Sequence, residues 1–535
     1  MLLFKKHHND RTHIACCRVK KSREACTETV GVILKQKKIT NFTARTHKKM
    51  MMRRSLTIRK FVGSMSRRQM SSKIVVDNPY TGETYCEVES MSQSSASGKI
   101  ADAESAHKEW RHSSMKERLE LCENFMSELE KRREDIAKDV SGMMGKPYTQ
   151  AFGEFGGVYE RTKGMMKYAP DAMAEEIIPS NGNGCDRVIT REPVGVVLVI
   201  APWNFPLLTA VNAIVPAILA GNAVVLKHSE RTPLCGEHFA KAFEAAGAPK
   251  GLVSFVNCSH DVSATMIADR RVGFVSFTGS VRGGREVYST LAQSRFIDAT
   301  LELGGKDPAY VAEDFDAAEA AAGLVDGAMY NMGQSCCGVE RVYVHKSRYE
   351  EFLHAAQEIC EMNYVWGDPM NEDTNHGPQA LSNSVPFLSA QVQDAEDKGA
   401  RIVTGFAQGV HDETGRGRFF APTIVADCNH EMDIMKEESF GPVLPVMPVD
   451  SEEQAVKLMS DSEYGLTAAI FTKDQERVRR MGAQLPAGTV FMNRCDYLDP
   501  DLPWTAGNEL TGKGVSLSRY GFDGVTKLKG YNMKV

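Results

Sequence analysis

The 535-residue sequence contains no uninterrupted apolar run of the roughly 18–20 residues that a membrane-spanning helix needs. Its thirteen cysteines include no C-x-x-C pair, and its fourteen histidines form neither an H-x-x-x-H motif nor a cluster with cysteine. These absences argue against a membrane span, a disulfide framework and a metal site. They favour free thiols in a reducing compartment.

Acidic residues are scarce in the first 72 residues. This segment holds 19 Lys and Arg but only 3 Asp and Glu, a net charge of +16, so the rest of the chain carries −21 of the total −5. Its Arg- and Ser-rich composition favours a mitochondrial targeting segment that is removed or disordered before about Lys73. A plastid or cytoplasmic address and a nucleic-acid-binding arm are competing interpretations. Because the remainder is strongly negative and repels phosphate, no nucleic-acid partner is expected.

The pattern beyond this basic segment indicates a soluble α/β protein. Hydrophobic residues make up 42% and charged residues 25% of the chain, whose length suits two or three domains. Between Val194 and Phe277, short apolar runs alternate with helix-length segments. This alternation is typical of a parallel βαβ sheet, in which ligands bind beyond the carboxyl ends of the strands. We therefore expect Asn204, Lys227 and Gly279, which follow or end predicted strands, to lie at that edge.

Three short motifs carry the strongest chemical signal. The first is N-M-G-Q-S-C at residues 331–336, a glycine-containing turn that ends in a cysteine between a predicted helix and a predicted strand. Taken alone it is weak, because a lone Cys usually packs as a small apolar side chain. The others are E-L-G-G-K at residues 302–306 and P-W-N-F-P at residues 202–206. Together the three closely resemble the aldehyde dehydrogenase superfamily, and the resemblance runs from about Asn78 to the C-terminus.

The resemblance implies a three-part α/β architecture. A Rossmann-like parallel-sheet cofactor domain is expected over residues 73–300, and an α/β catalytic domain over residues 301–482. Residues 483–535 are expected to return to the cofactor domain and to end in a small β oligomerisation arm, which also uses a segment at about 175–190. Such an arm builds homodimers or homotetramers in the family, and the sequence does not choose between them.

The resemblance also implies NAD-dependent oxidation of an aldehyde to a carboxylic acid. Cys336 would form a thiohemiacetal and then a thioester, with Asn204 as the oxyanion donor and Glu302 as the general base for hydrolysis. The neighbouring Cys337 is an alternative nucleophile, but the G-Q-x-C spacing selects Cys336. Without the family, Asn204 reads more simply as a cap of the helix that begins near Pro206.

Eight residues are assigned to the cofactor by the same resemblance. They come from the P-W-N-F-P motif, a K-x-x-E motif, a glycine-rich turn and an E-E-x-F-G-P motif, and they are Trp203, Lys227, Glu230, Gly279, Ser280, Gly284, Glu438 and Phe440. Lys227 and Glu230 would hold the adenosine ribose, where a carboxylate repels a 2′-phosphate and so favours NAD over NADP. The glycine-rich turn opens a helix whose N-terminus suits a pyrophosphate.

The substrate is the least determined part of the prediction. The inner tunnel is expected to include Phe205, Leu208 and Tyr330. The family's G-x-K-x-S-G-x-G run reads G-N-E-L-T-G-K-G here, so Glu509 and Thr511 replace Lys and Ser near the substrate mouth. No arginine stands out in the sequence as a clamp for an acidic aldehyde, which favours uncharged aliphatic or aromatic substrates.

Two alternative functions compete with this prediction. A coenzyme-A-acylating semialdehyde dehydrogenase would pass the acyl group to coenzyme A, but such relatives tend to lack a glutamate at the position of Glu302. A catalytically silent member would serve as a structural or binding protein. The presence of Asn204, Glu302 and Cys336 together argues against that alternative.

Overall fold

The computed structural model describes residues 73–179, 184–406 and 415–534. All of them belong to one compact unit, Ser71–Val535. The predicted targeting segment, residues 1–72, lies outside the described residues. Within the described ranges, no helix has the length and apolar character needed to cross a membrane.

The strands of the described chain are β1 (Lys73–Asp77), β2 (Thr84–Glu89), β3 (Glu176–Ile178), β4 (Cys185–Pro193), β5 (Val196–Ala201), β6 (Ala223–His228), β7 (Val253–Phe255), β8 (Val272–Thr278), β9 (Ala299–Glu302), β10 (Asp307–Val311), β11 (Val339–His345), β12 (Arg401–Thr404), β13 (Thr423–Ala426), β14 (Val443–Val449), β15 (Thr467–Phe471), β16 (Thr489–Met492), β17 (Trp504–Thr505), β18 (Gly512–Lys513), β19 (Val515–Ser516) and β20 (Thr526–Lys534). The α-helices are α1 (Gln93–Trp110), α2 (Met115–Glu130), α3 (Arg133–Met144), α4 (Tyr148–Ala172), α5 (Leu208–Leu219), α6 (Pro233–Ala245), α7 (His260–Ile267), α8 (Val281–Ser294), α9 (Ala317–Met329), α10 (Tyr349–Met362), α11 (Ser384–Asp397), α12 (Glu452–Met459) and α13 (Gln475–Gly482).

The first large sheet has six strands in the order β18-β9-β8-β5-β6-β7. Strands β5 to β9 run parallel, and the short β18 joins β9 antiparallel. Strands β5 and β6 are buried along their whole length, as expected for strands covered by helices on both faces. The predicted parallel sheet of the cofactor domain is therefore confirmed.

The helices that precede this sheet differ from the sequence prediction at one point. The apolar spacing predicted a single helix from Met115 to Val140, whereas the structure has α2 and α3. The break falls at Arg132, whose φ of −109° and ψ of 3° leave helical geometry. Glu134 and Asp135 then occupy the first turn of α3, where negative side chains stabilise the positive end of a new helix.

The second large sheet has seven strands in the order β12-β13-β14-β11-β10-β15-β16. Its neighbours are parallel except for β12 and β13. The sequence places domain limits at 300/301 and 482/483; in the structure β9, which ends at Glu302, pairs within the first large sheet, and β16 pairs with β15 in the second. Strands of the two sheets share the same apolar character, so the pattern does not reveal which sheet a strand joins.

A third, small sheet has the order β20-β4-β3. β20 pairs antiparallel with β4 from Thr526 opposite Pro193 to Lys534 opposite Cys185. The two segments that the sequence assigned to an arm therefore pair. The apolar side chains of Ile177 and Leu528 are 76% and 68% exposed, which leaves this sheet without a covering layer inside the described chain.

Candidate active site

The cysteine motif forms a strained turn between α9 and β11. Asn331 and Met332 have φ values of 52° and 55°, and Gly333 follows with φ of 70°. A side chain on Gly333 would collide with the backbone of Gly441, so only glycine fits there. Consecutive left-handed residues are costly and persist where the surroundings enforce them, as at catalytic turns. The turn leaves Cys336 partly exposed while the residues around it are buried.

The polar side chains of this motif stabilise the turn and do not face a ligand. The Asn331 side-chain amide donates to the carbonyl oxygens of Asn204 (3.0 Å) and Gln334 (3.1 Å). Gln334 donates to the Asn331 carbonyl oxygen (3.1 Å) and accepts from the Ala380 backbone N–H (3.0 Å). These bonds fix the backbone that presents Cys336.

Asn204 lies against the cysteine turn, and the alternative that it only caps a helix is wrong. Its Nδ2 donates to the Gln334 carbonyl oxygen at 3.1 Å, and Asn204 is buried. The first N–H groups of the following helix are instead accepted by Glu154, whose Oε1 lies 2.8 Å from Leu207 N and 2.9 Å from Leu208 N. The structure therefore frees Asn204 for a role at the cysteine.

Glu302 ends β9 and opens onto the same pocket as Cys336. Its Oε1 accepts from Ser516 Oγ at 2.6 Å, and its Oε2 from Thr278 Oγ1 at 3.5 Å. Burial raises the pKa of Glu302, while the Ser516 bond, the charge of Arg161 and the Thr278 bond act to lower it. The Ser516 and Thr278 bonds and the charge of Arg161 favour the ionised form of Glu302, which is the form that can accept a proton.

The glycines of the E-L-G-G-K motif join the cysteine to the predicted cofactor residues. A side chain on Gly305 would collide with the carbonyl oxygen of Cys336, and one on Gly304 would lie 2.6 Å from a Glu438 oxygen. The Gly305 backbone N–H donates to Glu438 at 3.0 Å. Only glycine therefore fits at residues 304 and 305, where the backbone passes between Cys336 and the Glu438 carboxylate.

Lys306 anchors the E-E-x-F-G-P segment through a buried ion pair. Its Nζ lies 2.8 Å from Glu340 and donates to Ser439 Oγ at 3.0 Å. Glu340 in turn accepts the backbone N–H groups of Ser439 (2.7 Å) and Phe440 (2.9 Å). This network holds Phe440 at a φ of 51°, with its ring edge-on to Trp203 at 5.6 Å.

The predicted cofactor residues gather at the carboxyl ends of the parallel strands. Lys227 lies within β6, Gly279 and Ser280 follow β8, and Glu438 and Phe440 approach from the second large sheet. Burial lowers the pKa of Lys227, and among the described residues its Nζ donates only to the His228 carbonyl oxygen (3.2 Å).

Two carboxylates of this group have room for a ligand. In the described chain Glu230 makes no ion pair or hydrogen bond, and Glu438 accepts only the Gly305 N–H. Burial and the charge of Glu340 raise the pKa of Glu438 to about 8, while the Gly305 N–H and the charge of Lys306 act to lower it. Ribose hydroxyls are suitable donors, so these residues fit a nicotinamide dinucleotide.

Two residues of the glycine-rich turn have structural uses of their own. Ser280 caps α8 by accepting the Gly283 N–H at 3.2 Å. A side chain on Gly284 would collide with Leu303, so this glycine allows α8 to pack on the E-L-G-G-K segment. The turn therefore presents a capped helix end beside the motif that touches Cys336.

A cavity of about 520 Å³ leads to Cys336. The predicted tunnel residues Phe205, Leu208 and Tyr330 all line it, and the rings of Phe205 and Tyr330 stack at 6.4 Å. Glu302, Cys336 and Cys337 share this pocket, whereas Asn204 and the eight predicted cofactor residues are not among its lining. The cysteine turn therefore lines this pocket, and the predicted cofactor residues lie outside it.

Asp496 lies at the pocket wall beside the cysteines. It accepts from Ser335 Oγ (2.8 Å) and from Cys337 Sγ (3.1 Å). The thiol of Cys337 is buried, and burial together with its contact with Cys336 raises its pKa well above the ordinary value. Cys337 is therefore a packed donor, which supports Cys336 as the nucleophile.

Several residues of the site were missed by the sequence interpretation. Glu154 and Arg161 come from α4, a helix whose apolar spacing carries no catalytic signal. Arg161 lines the pocket, although no arginine stood out in the sequence as a clamp for an acidic aldehyde. Hydrophobic periodicity predicts that α4 is half-buried, but it does not show that one polar edge meets the tunnel.

The departure from the family pattern at Thr511 preserves a contact with the active site. The Thr511 hydroxyl donates to the Gly304 carbonyl oxygen (3.0 Å) and accepts the Gly465 N–H (2.9 Å), and the Thr511 carbonyl accepts the Leu303 N–H (2.9 Å). The threonine therefore ties β18 to the E-L-G-G-K segment. Glu509 lies in the preceding 3-10 turn and makes no side-chain hydrogen bond or ion pair with the pocket lining in the described part of the chain.

Comparison with known proteins agrees with this geometry. The model of the "Aldehyde dehydrogenase family" matches residues 66–530. The chain is 34% identical over 427 residues to the 3,6-anhydro-alpha-L-galactose dehydrogenase of Streptomyces coelicolor, covering 78% of this chain and 85% of that protein. It is 32% identical to the NAD(P)+ succinate semialdehyde dehydrogenase Sad of Escherichia coli, covering 83% and 94% of the two chains. The solved structure of a 3,6-anhydro-L-galactose dehydrogenase in complex with NAP matches with a TM-score of 0.81 and 30% identity, covering 87% of this chain and 97% of that one.

The fold has two large sheets, and Cys336 and Glu302 line one pocket. This arrangement is that of an oxidoreductase that acts through a covalent cysteine adduct. The chain belongs to the aldehyde dehydrogenase family. It is an enzyme that oxidises aldehydes to carboxylic acids with a nicotinamide cofactor, NAD or NADP.

Proposed function

We propose that this enzyme works by nucleophilic attack of Cys336 and hydrolysis assisted by Glu302, with NAD as its preferred cofactor. The single observation that carries the proposal is that a partly exposed Cys336 and a carboxylate of raised pKa share one pocket. A nucleophile and a base that line one pocket allow acyl transfer to water.

The first step is attack of the Cys336 thiolate on the aldehyde carbon. A C–S bond forms and the carbonyl electron pair moves to oxygen, giving a tetrahedral alkoxide. The Asn204 amide uses one N–H for the Gln334 carbonyl oxygen, which leaves its second N–H for this alkoxide. With the Cys336 backbone N–H, it would stabilise the developing charge by roughly 3–4 kcal/mol for each donor.

A bound nicotinamide supplies the acceptor for the hydrogen and electron pair that the adduct loses on becoming a thioester. Glu302 then takes a proton from water, and the resulting hydroxide attacks the thioester carbon. The C–S bond breaks, Cys336 leaves as a thiolate and the carboxylic acid is released. Ser516 and Thr278 keep the Glu302 carboxylate oriented through these steps.

Preference for NAD over NADP rests on Glu230. This exposed carboxylate follows the ribose-binding candidate Lys227 and has no cationic partner within the described chain. It would repel a 2′-phosphate. Glu230→Gln should therefore lower KM for NADP more than for NAD, as measured by initial rates; an unchanged ratio would contradict this assignment.

Oligomerisation and localisation are further parts of the proposal. The exposed apolar side chains of the β20-β4-β3 sheet support an arm that is covered in a homodimer or homotetramer. Light scattering of the full chain and of Leu528→Asp tests this, because a charge in a buried interface should shift the enzyme to smaller species. The basic residues 1–72 support a mitochondrial address, which imaging of a fusion with and without these residues tests.

The reaction is tested by following NADH absorbance with a panel of aldehydes, with and without coenzyme A. Cys336→Ala should abolish activity. Glu302→Gln should permit one burst of NADH and block turnover, and coenzyme A should leave the product a free acid. Acyl-coenzyme A as the product would favour the acylating alternative, and full turnover by Glu302→Gln would remove the proposed base.

A further inference from the structure

Arg161 is a buried cation that the proposed mechanism leaves unused. It projects from α4 into the pocket that contains Cys336, and it is only 8% exposed. No carboxylate of residues 73–179, 184–406 or 415–534 lies within 4 Å of it. Burying a cation without a contact counter-charge is costly, so such a group usually serves a ligand.

Only one edge of the Arg161 guanidinium is engaged by the protein. Nη1 donates to the Leu208 carbonyl oxygen (3.2 Å) and to Asn212 Oδ1 (3.4 Å). Nε and Nη2 donate to no described residue, yet they are not sealed from the pocket. These two nitrogens form the edge of a guanidinium that binds a carboxylate through two parallel hydrogen bonds.

Asn212 adds another free donor at the same place. It is 4% exposed and lines the same pocket. Because its Oδ1 faces Arg161, its Nδ2 points elsewhere, and Nδ2 makes no hydrogen bond to the described chain. Three N–H-bearing nitrogens of two pocket-lining residues, Arg161 Nε and Nη2 and Asn212 Nδ2, therefore have no acceptor within the described chain.

Four of the five acidic residues that line the pocket have their own donors, among them Glu154 with Lys146 and Glu160 with Tyr497. The fifth, Asp326, accepts no side-chain hydrogen bond within the described chain and makes no ion pair with Arg161. Glu302 is held by Ser516 and Thr278, and Asp496 accepts from Ser335 and Cys337. They reach Arg161 only through longer-range attraction, so its contact positions remain open for a ligand.

We propose that Arg161 and Asn212 form a carboxylate-binding subsite, and that the substrate is an aldehyde with a second, acidic end. This inference rests on the proposed function, because the subsite shares its pocket with the proposed nucleophile Cys336. It replaces the expectation of uncharged substrates. Arg161 is a specificity residue that acts on the far end of the substrate, away from the reacting carbon.

The first test compares 4-oxobutanoate with its methyl ester, which has the same aldehyde and a neutral end. The wild-type enzyme should prefer the acid, and Arg161→Gln should lower kcat/KM for the acid on the order of 100-fold, mostly through KM, while changing the ester by less than about 3-fold. Arg161→Lys keeps the charge but loses the paired N–H groups of the guanidinium, so its kcat/KM for the acid should lie between the values of the wild type and of Arg161→Gln. Lys163→Gln removes an exposed cation from the same helix and should leave both substrates unchanged.

The second test needs no catalysis. Succinate, which has no aldehyde, should slow alkylation of Cys336 by iodoacetamide in the wild type and in Lys163→Gln, but not in Arg161→Gln. If the ester is oxidised as well as the acid and succinate gives no protection, the subsite is refuted and the proposed function stands. If neither aldehyde is oxidised but protection depends on Arg161, the subsite stands and the proposed function fails for these aldehydes. If melting curves show that Arg161→Gln is unfolded, Arg161→Lys replaces it in both tests.

Discussion

Replacing Glu154 by Gln tests how the enzyme holds the segment that contains Asn204. Glu154 pairs with Lys146 at 3.0 Å, and both side chains are 1% exposed. Its Oε1 also accepts the N–H groups of Leu207 and Leu208 at the start of α5. A glutamine can still accept these N–H groups, so the substitution removes the charge and leaves Lys146 as a buried, unpaired cation.

The expected cost is about 3–5 kcal/mol of unfolding free energy, because breaking a buried pair leaves one charge without compensation. That is a large part of the roughly 5–15 kcal/mol that holds a typical domain together. Burial already lowers the pKa of Lys146, and the charge of Glu154 opposes this shift. Glu154→Ala should lower the unfolding free energy more than Glu154→Gln does, because it also leaves two buried N–H groups without an acceptor.

Urea unfolding followed by circular dichroism measures the effect, with Lys146→Met and the double variant completing a cycle. The double variant should recover much of the loss, because no buried charge remains. The exposed pair Lys167 and Asp501 at 2.8 Å is the control, and its removal should hardly move the midpoint. A double variant no more stable than either single one, or a cost below about 1 kcal/mol for Glu154→Gln, would refute the reasoning.

Two further predictions concern the proposed base and the cysteine turn. Ser516→Ala removes a hydrogen-bond donor that lowers the pKa of Glu302, so this pKa should rise further. Because only the ionised base accepts a proton, the acid limb of the kcat–pH profile should move to higher pH, and an unchanged acid limb would contradict the assigned base. Gly333→Ala places a side chain at a φ of 70°, where its Cβ would collide with the backbone of Gly441. It should destabilise the fold by about 2–4 kcal/mol, as measured by thermal melting, and should reduce alkylation of Cys336, as measured by mass spectrometry. Gly156→Ala on α4 meets open space and should stabilise slightly, and equal effects of the two substitutions would exclude this explanation.

The catalytic candidates were predictable because their signals are local. Gly333, Gly304 and Gly305 are needed where neighbouring backbone or side chains leave no room for a Cβ, and such needs appear as fixed letters at fixed spacing. Cys336 and Glu302 sit inside those motifs. The alternating apolar runs likewise predicted the parallel sheet, since strands buried on both faces must be apolar throughout.

Long-range partners were not predictable in the same way. Ser516 reaches Glu302, and Glu154 caps the helix after Asn204, through contacts between segments far apart in the chain. Neither residue belongs to a pattern that marks its partner. The sheet that β9 or β16 joins is not marked in the sequence for the same reason, because a strand joins a sheet through backbone pairing that its side chains do not specify.

The sequence by itself determined the family and the parallel-sheet architecture, and it supplied Cys336 and Glu302 as the candidate nucleophile and base. Tertiary structure alone decided that Asn204 serves the cysteine turn rather than a helix cap, and that Arg161 enters the substrate pocket. The physical reason is that turn geometry and periodic burial are properties of neighbouring residues. The charge balance of a cavity depends instead on which side chains packing brings together, and only the folded chain shows that Arg161 has no contact counter-charge there.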